Sequence, residues 1–224
     1  MLLLTKMNDL SRDLPTVVVY DLDGVITRKD TFTALVAMRL VRSPLRLLRA
    51  IPVIVSGIRG WKAQLSQKIT EIALAGMAGD RYEELAEHLG RKFGSEEKWI
   101  RAQTVEQMRK DHDAGYRIVI ATATERRLAE ALLAAAEVPY DQLSASLLVS
   151  TPAGLKIGDH RVGARKLAAL LELGVPISQS QFVTDSTTDL PTAEAAGCVV
   201  LVGASKRTRR RFGQAGVEVI VRAS

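Results

Sequence analysis

The residues best suited to chemistry are carboxylates that close apolar runs. In "TVVVYDLDGVIT", Thr16 to Thr27, Asp21 and Asp23 stand two apart directly after β-branched residues, so on a strand they share a side although like charges repel. Asp185 and Asp189 follow a second run in "QFVTDSTTDLP". Carboxylates converging from distant segments can coexist around a cation, and oxygen ligands without a His or Cys cluster fit a hard ion, Mg2+ before Zn2+. A carboxylate beside such an ion can attack phosphorus as a covalent nucleophile. That reaction also needs donors and positive charge around the transferred oxygens. Thr122, closing "RIVIAT", offers a hydroxyl, and Lys166, at the head of the helical pattern "GARKLAALLEL", offers a point charge.

The elements that must position these groups can be read from the apolar pattern. Strand-like runs begin at Thr16, Arg117, Gln181, Cys198 and Val217, each continuous rather than alternating, as expected for parallel strands covered on both faces. Helical patterns lie between them, such as Leu128, Leu132, Leu133 and Ala136, or Leu167, Leu170 and Leu171 closing at Gly174. The alternation predicts a doubly wound α/β parallel sheet with its ligand at the C-terminal strand ends, where the polar residues collect. One interval breaks the rhythm. From about Thr31 to Ala114 no strand is expected, while Leu65, Ile69, Ile72 and Met77, then Tyr82, Leu85, Leu89 and Phe93, recur at helical spacing. A helical insertion that packs on the core as a lid is the expectation.

Bulk properties agree with a globular chain large enough to bury a core: 224 residues, 47% hydrophobic and 25% charged. The net charge of +6 favours acidic partners, but aromatic residues at 4% leave few stacking platforms, so no nucleic-acid partner is expected. Phosphorylated small molecules and anionic lipid surfaces fit as well. A single cysteine, Cys198 in "GCVVLV", excludes an internal disulfide and reads as a strand thiol. The leading "MLLLTKMNDL" reads as a frayed lead-in, and Ala50 to Ile58 falls short of the roughly 20 apolar residues of a spanning helix. A cytoplasmic location follows as the expectation, with peripheral membrane contact left open.

"DLDGV", the strand ending at Thr122, Lys166 ahead of a helix, and "DSTTD" together resemble the four sequential motifs of the haloacid dehalogenase-like (HAD) superfamily of phosphohydrolases. The resemblance spans essentially the whole chain and implies a Rossmann-like core over 1–30 and 114–224, with a C1-type helical cap over 31–113. "VGARKLAALLE" and "TDSTTDLPTAEAAG" look like the phosphoserine-phosphatase branch, and more closely like HAD domains associated with prenyltransferases of the UbiA type. The resemblance implies hydrolysis of a small phosphate monoester with Asp21 as nucleophile and Asp23 as acid and base. Thr122, Ala123 and Lys166 would hold the phosphoryl group. Mg2+ would sit on Asp21, the Asp23 backbone carbonyl and Asp185, with Asp189 a direct or water-mediated ligand. Val25 departs from the commonest Thr at a position used mainly through its backbone. A phosphomutase or phosphotransferase with the same motifs, or a module recruited to a membrane or a prenyltransferase, are the alternatives.

Several residues admit plainer roles. Asp30 matches an acidic substrate-binding position of the phosphoserine phosphatases, and equally an N-cap for "TFTALVAMRL". Thr124 reads as the cap of "ERRLAEALL" rather than a catalytic group, and Lys156 rivals Lys166. His88, His112 and His160 lie in charged surroundings and are expected at the surface; Trp61 and Trp99 are expected in or beside the lid core. The run Lys206 to Phe212 reads as a solvated helix face, with a membrane-surface or phospholipid-headgroup contact as the alternative. Arg42, Arg46 and Arg49 beside Leu45, Leu47 and Leu48 suggest a basic amphipathic strip, suited to a membrane surface, an ordinary lid helix or an entry port for anions.

Overall fold

The structure, a computed structural model, describes residues 16–57 and 62–222. The lead-in stretch and Trp61 lie outside the described residues. Seven strands form one sheet: β1 (Val17–Tyr20), β2 (Arg117–Glu125), β3 (Gln142–Thr151), β4 (Gly154–Asp159), β5 (Ser180–Thr184), β6 (Cys198–Val202) and β7 (Ile220–Arg222), in the order β4-β3-β2-β1-β5-β6-β7. All neighbours pair parallel except β3 and β4. The chain builds outward from β1 through β2 and β3, then returns to the other flank of β1 as β5. That reversal opens a crevice at the C-terminal end of β1, the place where such sheets bind ligands.

β1 shows why its run is continuous. Val17 and Val19 enter one apolar cluster, and Val18 and Tyr20 enter another on the opposite face. The first face is covered by α7 (Ala164–Glu172), α8 (Leu190–Ala195) and α9 (Lys206–Gln214), through Leu170, Ala193 and Phe212. The second is covered by α6 (Arg126–Ala135) and by the helices that intervene between β1 and β2. Cys198 opens β6 half-buried, and Lys206 to Phe212 forms most of α9 with only Thr208 and Phe212 buried, a solvated basic face.

Two strands, β3 and β4, lack the continuous apolar run of the others. β3, "QLSASLLVST", alternates Leu and Ala with Ser, yet Leu143 through Ser146 are all buried. Ser144 and Ser146 are tolerated inside because Arg161 donates to both, from Nη1 at 3.0 Å and from its backbone N–H at 2.9 Å. The last strand is also shorter than the run from Val217: only Ile220–Arg222 pairs, and all of it is exposed.

Among the described residues the elements between β1 and β2 are helices: α1 (Thr31–Val41), α2 (Pro44–Gly57), α3 (Lys62–Leu74), α4 (Gly79–Ser95) and α5 (Ala102–Asp113). The five helices have different attachments. α4 seats on α6 where Gly90 and Gly94 allow close approach; a Cβ on Gly94 would lie 2.4 Å from the Leu132 carbonyl oxygen. Tyr82 of α4 donates to Glu125 Oε2 at 2.7 Å, and Tyr20 of β1 donates to Asp111 of α5 at 2.5 Å. Trp99, buried as expected, stacks at a tilt on Phe93. The entry and exit of the insertion are tied together, Arg28 N–H to the Trp99 carbonyl and Arg101 N–H to the Ile26 carbonyl. α1 and α3 overhang the end of β1. Among the described residues no helix is long and apolar enough to cross a membrane.

Candidate active site

Asp21 leaves the end of β1, its N–H still paired with Val183 of β5, and the chain then turns sharply. Gly24 makes the turn at φ +81°, and any Cβ there would fall 2.2 Å from Asp185 Oδ2, so both the backbone and the neighbouring carboxylate demand glycine. Asp185, following β5, is thereby laid against the Asp21–Gly24 loop.

Lys166 reaches this point from the start of α7. Gly163 at φ +57° opens the helix, and three residues on the ammonium lies 3.1 Å from Asp21 Oδ1 and 2.7 Å from Asp189 Oδ1. The lysine is 2% exposed. Burial alone would depress its pKa, but Asp189 and Asp21 prevail and hold it above its ordinary value. Asp189 is itself fully enclosed, its Oδ2 accepting from Thr184 Oγ1 at 2.7 Å. Asp21 Oδ1 also accepts from Leu22 N–H at 2.8 Å, which leaves Oδ2 with no lysine or N–H donor. Burial pushes the Asp21 carboxyl well above the usual range; Lys166 pulls it down, and Asp189 and Asp23 push it up again.

Asp23 is gripped from two directions. Oδ1 accepts from the N–H and the hydroxyl of Thr31, both at 2.9 Å, and Oδ2 accepts from Thr124 Oγ1 at 2.6 Å. The two hydroxyls lie 3.1 Å apart. Burial, helped by repulsion from Asp30, raises Asp23 to about 6 against these hydrogen bonds.

The loop, the strand ends and the overhanging helices enclose a cavity of about 610 Å³. Asp21, Asp23, Asp185 and Lys166 form its floor. Phe32, Val36, Leu65 and Ile69 supply an apolar roof, extended by Ile157 and Val162, and Arg28 and Lys29 stand exposed at the rim.

The sequence-derived assignments fare unevenly against this geometry. Asp21, Lys166 and Asp189 form one buried group with Asp23 and Asp185 lining the same cavity, and Lys156 is exposed on β4, so Lys166 is the lysine placed at this point. Ala123 lines the cavity, but Thr122 does not; it is fully buried, its Oγ1 accepting from Thr124 N–H at 3.0 Å. Asp30 does cap α1, its Oδ1 accepting from Thr33 N–H at 2.6 Å, and it also lines the cavity. Two expectations are corrected. Thr124 does not cap α6, because β2 runs on to Glu125, whose Oε2 accepts from Leu128 N–H at 3.2 Å; Thr124 holds Asp23 instead. His160 is not a surface residue but a half-buried part of the cavity wall, its pKa lowered by burial. The grip of Thr31 and Thr124 on Asp23 was missed; the period of two that joins Thr122 to Thr124 along β2 was the available signal.

A cation suits the donor set. Burial, then repulsion from Asp189, raises Asp185 to about 6, with Lys166 and Arg101 as the opposing charges, and its carboxylate lies against Gly24 of the loop that follows Asp21. Among the described residues no three His, Cys, Asp or Glu side chains form a closed metal cluster. Two carboxylates, a backbone carbonyl and open space suit Mg2+, which keeps waters and shares its shell with phosphate oxygens. Asp189 meets Lys166 through Oδ1 and Thr184 through Oδ2, each at 2.7 Å, from behind the cavity floor.

Comparison with known proteins follows the same line. A family model described as haloacid dehalogenase-like hydrolase matches residues 18–194. No curated protein matches the sequence. Among solved structures, a protein of unknown function from Bordetella pertussis Tohama I is 20% identical, with 91% of this chain and 97% of that one covered and a TM-score of 0.72. A phosphoserine phosphohydrolase-like protein from Francisella tularensis subsp. tularensis SCHU S4 is 14% identical over 91% and 94%, TM-score 0.64. Phosphoserine phosphatase in its apo form is 10% identical over 92% of each chain, TM-score 0.59.

Proposed function

The chain belongs to the haloacid dehalogenase-like hydrolases, and from that premise we propose that it is a Mg2+-dependent phosphatase cleaving a phosphate monoester through an aspartyl phosphate on Asp21. The observation that carries the proposal is the buried Asp21–Lys166–Asp189 pairing beneath a cavity, with Asp23 fixed two residues away by donors from α1 and β2.

Lys166 holds the Asp21 carboxylate through Oδ1, and Asp21 lines the cavity, which leaves Oδ2 as the attacking oxygen. Oδ2 attacks phosphorus as the ester P–O bond breaks, and Asp23, carrying a proton, delivers it to the leaving alkoxide. Water then attacks phosphorus, Asp23 takes its proton, and the bond to Asp21 breaks to release phosphate. The Ala123 backbone and the Lys166 ammonium are placed to meet the phosphoryl oxygens, and the Thr122 hydroxyl backs this loop from beneath. Asp21, Asp185 and the Asp23 carbonyl would hold Mg2+, which supplies positive charge to the phosphoryl oxygens. The roof of Phe32, Val36, Leu65 and Ile69 favours a leaving group with an apolar portion over bare serine, and Arg28 and Lys29 suit further negative charge at the rim.

Phosphate release from a panel of phosphate monoesters, with Mg2+ and with a chelator, tests the proposal. Asp21→Asn is expected to lose roughly 10⁴-fold or more in kcat. Retained turnover in that variant, or transfer of phosphate to a second acceptor in place of water, would overturn it.

A further inference from the structure

The helix α2 carries an apolar surface that the described residues leave exposed. Leu45, Leu48 and Val55 are 59%, 65% and 58% exposed, and Leu47, Ile51 and Ile54 are exposed as well. At 100° per residue these six positions sweep roughly half the helix circumference, and Ala50, fully buried, marks the opposite side that packs on the lid. Monomeric surfaces scatter such residues singly; a continuous stripe along one helix signals a contact.

The charge around the stripe says what kind. From Thr31 to Gly57 the sequence holds four arginines, Arg39, Arg42, Arg46 and Arg49, and no acidic residue. Among the described residues none of the four has a carboxylate partner; Arg46 donates to the Ala75 carbonyl at 3.2 Å. The arginines crowd one another: burial, then Arg46 and Arg42, push the Arg39 guanidinium below its ordinary pKa. Arg42 precedes the stripe and Arg49 borders it, where a flat-lying helix would set its cations among headgroups.

A second copy of the chain fits this surface poorly. Face-to-face pairing would bring two sets of arginines together without a counter-charge. A helix of 14 residues is also only about 21 Å long, so its face falls far below the ~800 Å² per partner of a stable interface.

We propose that α2 docks the lid on an anionic lipid surface, its leucine and isoleucine side chains entering the acyl boundary and Arg42 and Arg49 meeting the headgroups. The helix is too short to span and lies in the interface plane. α2 packs on α1 and α3, the two helices that roof the cavity, so docking sets the cavity beside the bilayer.

Co-sedimentation with vesicles of phosphatidylglycerol mixed into phosphatidylcholine, against phosphatidylcholine alone, tests the proposal. The wild-type chain is expected to pellet with the anionic vesicles at low salt and several-fold less with neutral ones. Leu48→Glu/Val55→Glu should abolish pelleting, and Arg42→Gln/Arg49→Gln should weaken it roughly 10- to 30-fold, at ~1 kcal/mol per arginine. Leu171→Glu, on an exposed core position, should pellet like wild type, and circular dichroism establishes that every variant is folded. Failure of the wild type to pellet on anionic vesicles overturns the proposal, as does wild-type binding by Leu48→Glu/Val55→Glu or equal loss in Leu171→Glu. A dimer in sedimentation velocity that Leu48→Glu/Val55→Glu dissolves would instead assign the surface to a second copy. Asp21→Asn leaves this surface intact, so the docking and phosphatase proposals fail separately.

Discussion

The floor of the cavity and its roof are built on opposite terms. On the floor the charges around Lys166 and Asp23 are answered: Lys166 sits between Asp21 and Asp189, Asp189 is backed by Thr184, and Asp23 has donors on both oxygens, which leaves Asp185 as the carboxylate without a side-chain donor among the described residues. On the roof α1 and α3 present side chains such as Phe32 and Ile69 that are only half-buried, and behind them α2 turns an apolar half-cylinder to the outside. Chemistry needs groups held in one place in a low dielectric, where a misplaced charge is costly. Choosing and admitting a substrate needs a surface that can move and meet different partners, which dispersed apolar contacts permit.

The largest effect that would break this contrast belongs to the floor. Lys166→Ala should lower kcat roughly 10²- to 10³-fold with a smaller change in KM, because the charge acts on the transferring group. Steady-state kinetics beside Lys156→Ala checks it; a loss confined to the Lys156 variant would dissolve the assignment of the floor. Phe32→Ala should act on the roof alone, raising KM about tenfold for esters with an apolar leaving group, the equivalent of losing ~1.4 kcal/mol of apolar contact. A matching fall in kcat would show that roof and floor are not separate.

The smallest effect concerns the joint between insertion and core, where Tyr82 donates to Glu125. Burial raises the Glu125 carboxyl above its ordinary value, outweighing the hydrogen bonds from Tyr82 and the backbone N–H groups of Arg127 and Leu128. The folded state therefore binds a proton more readily than the unfolded chain. That stabilisation is complete below the unfolded pKa of about 4.3 and is lost as pH rises through the raised folded value. Glu125→Gln should remove this downward slope, so urea unfolding of wild type and variant from about pH 4 to about pH 7 should diverge; parallel profiles would mean the carboxyl has the same pKa folded and unfolded.

Much of the floor was readable because each of its groups is set by a local rule. Asp21 and Asp23 share a side by the strand period of two, Lys166 follows a glycine that opens a helix, and Asp185 closes an apolar run. The same local rules misplaced Thr124, since a Thr before a helical pattern reads as a cap, and passed over β3, where serines interrupt the expected run. In both cases the deciding partner is remote: Asp23 lies 101 residues from Thr124, and Arg161 lies 17 from Ser144.

α4 and α2 carry the final lesson. Both show apolar residues at helical spacing in the same insertion, and both were legible as helices with an apolar face. One face is buried against α6 through Gly90 and Gly94, and the other is left open with arginines beside it. By itself the sequence determined five strands of the sheet, the order of its reactive groups and the helical character of the insertion, because backbone geometry and side-chain period act over a few residues. Only the tertiary structure decided what each face meets and which threonines hold the acid, because those contacts join segments that the chain places far apart.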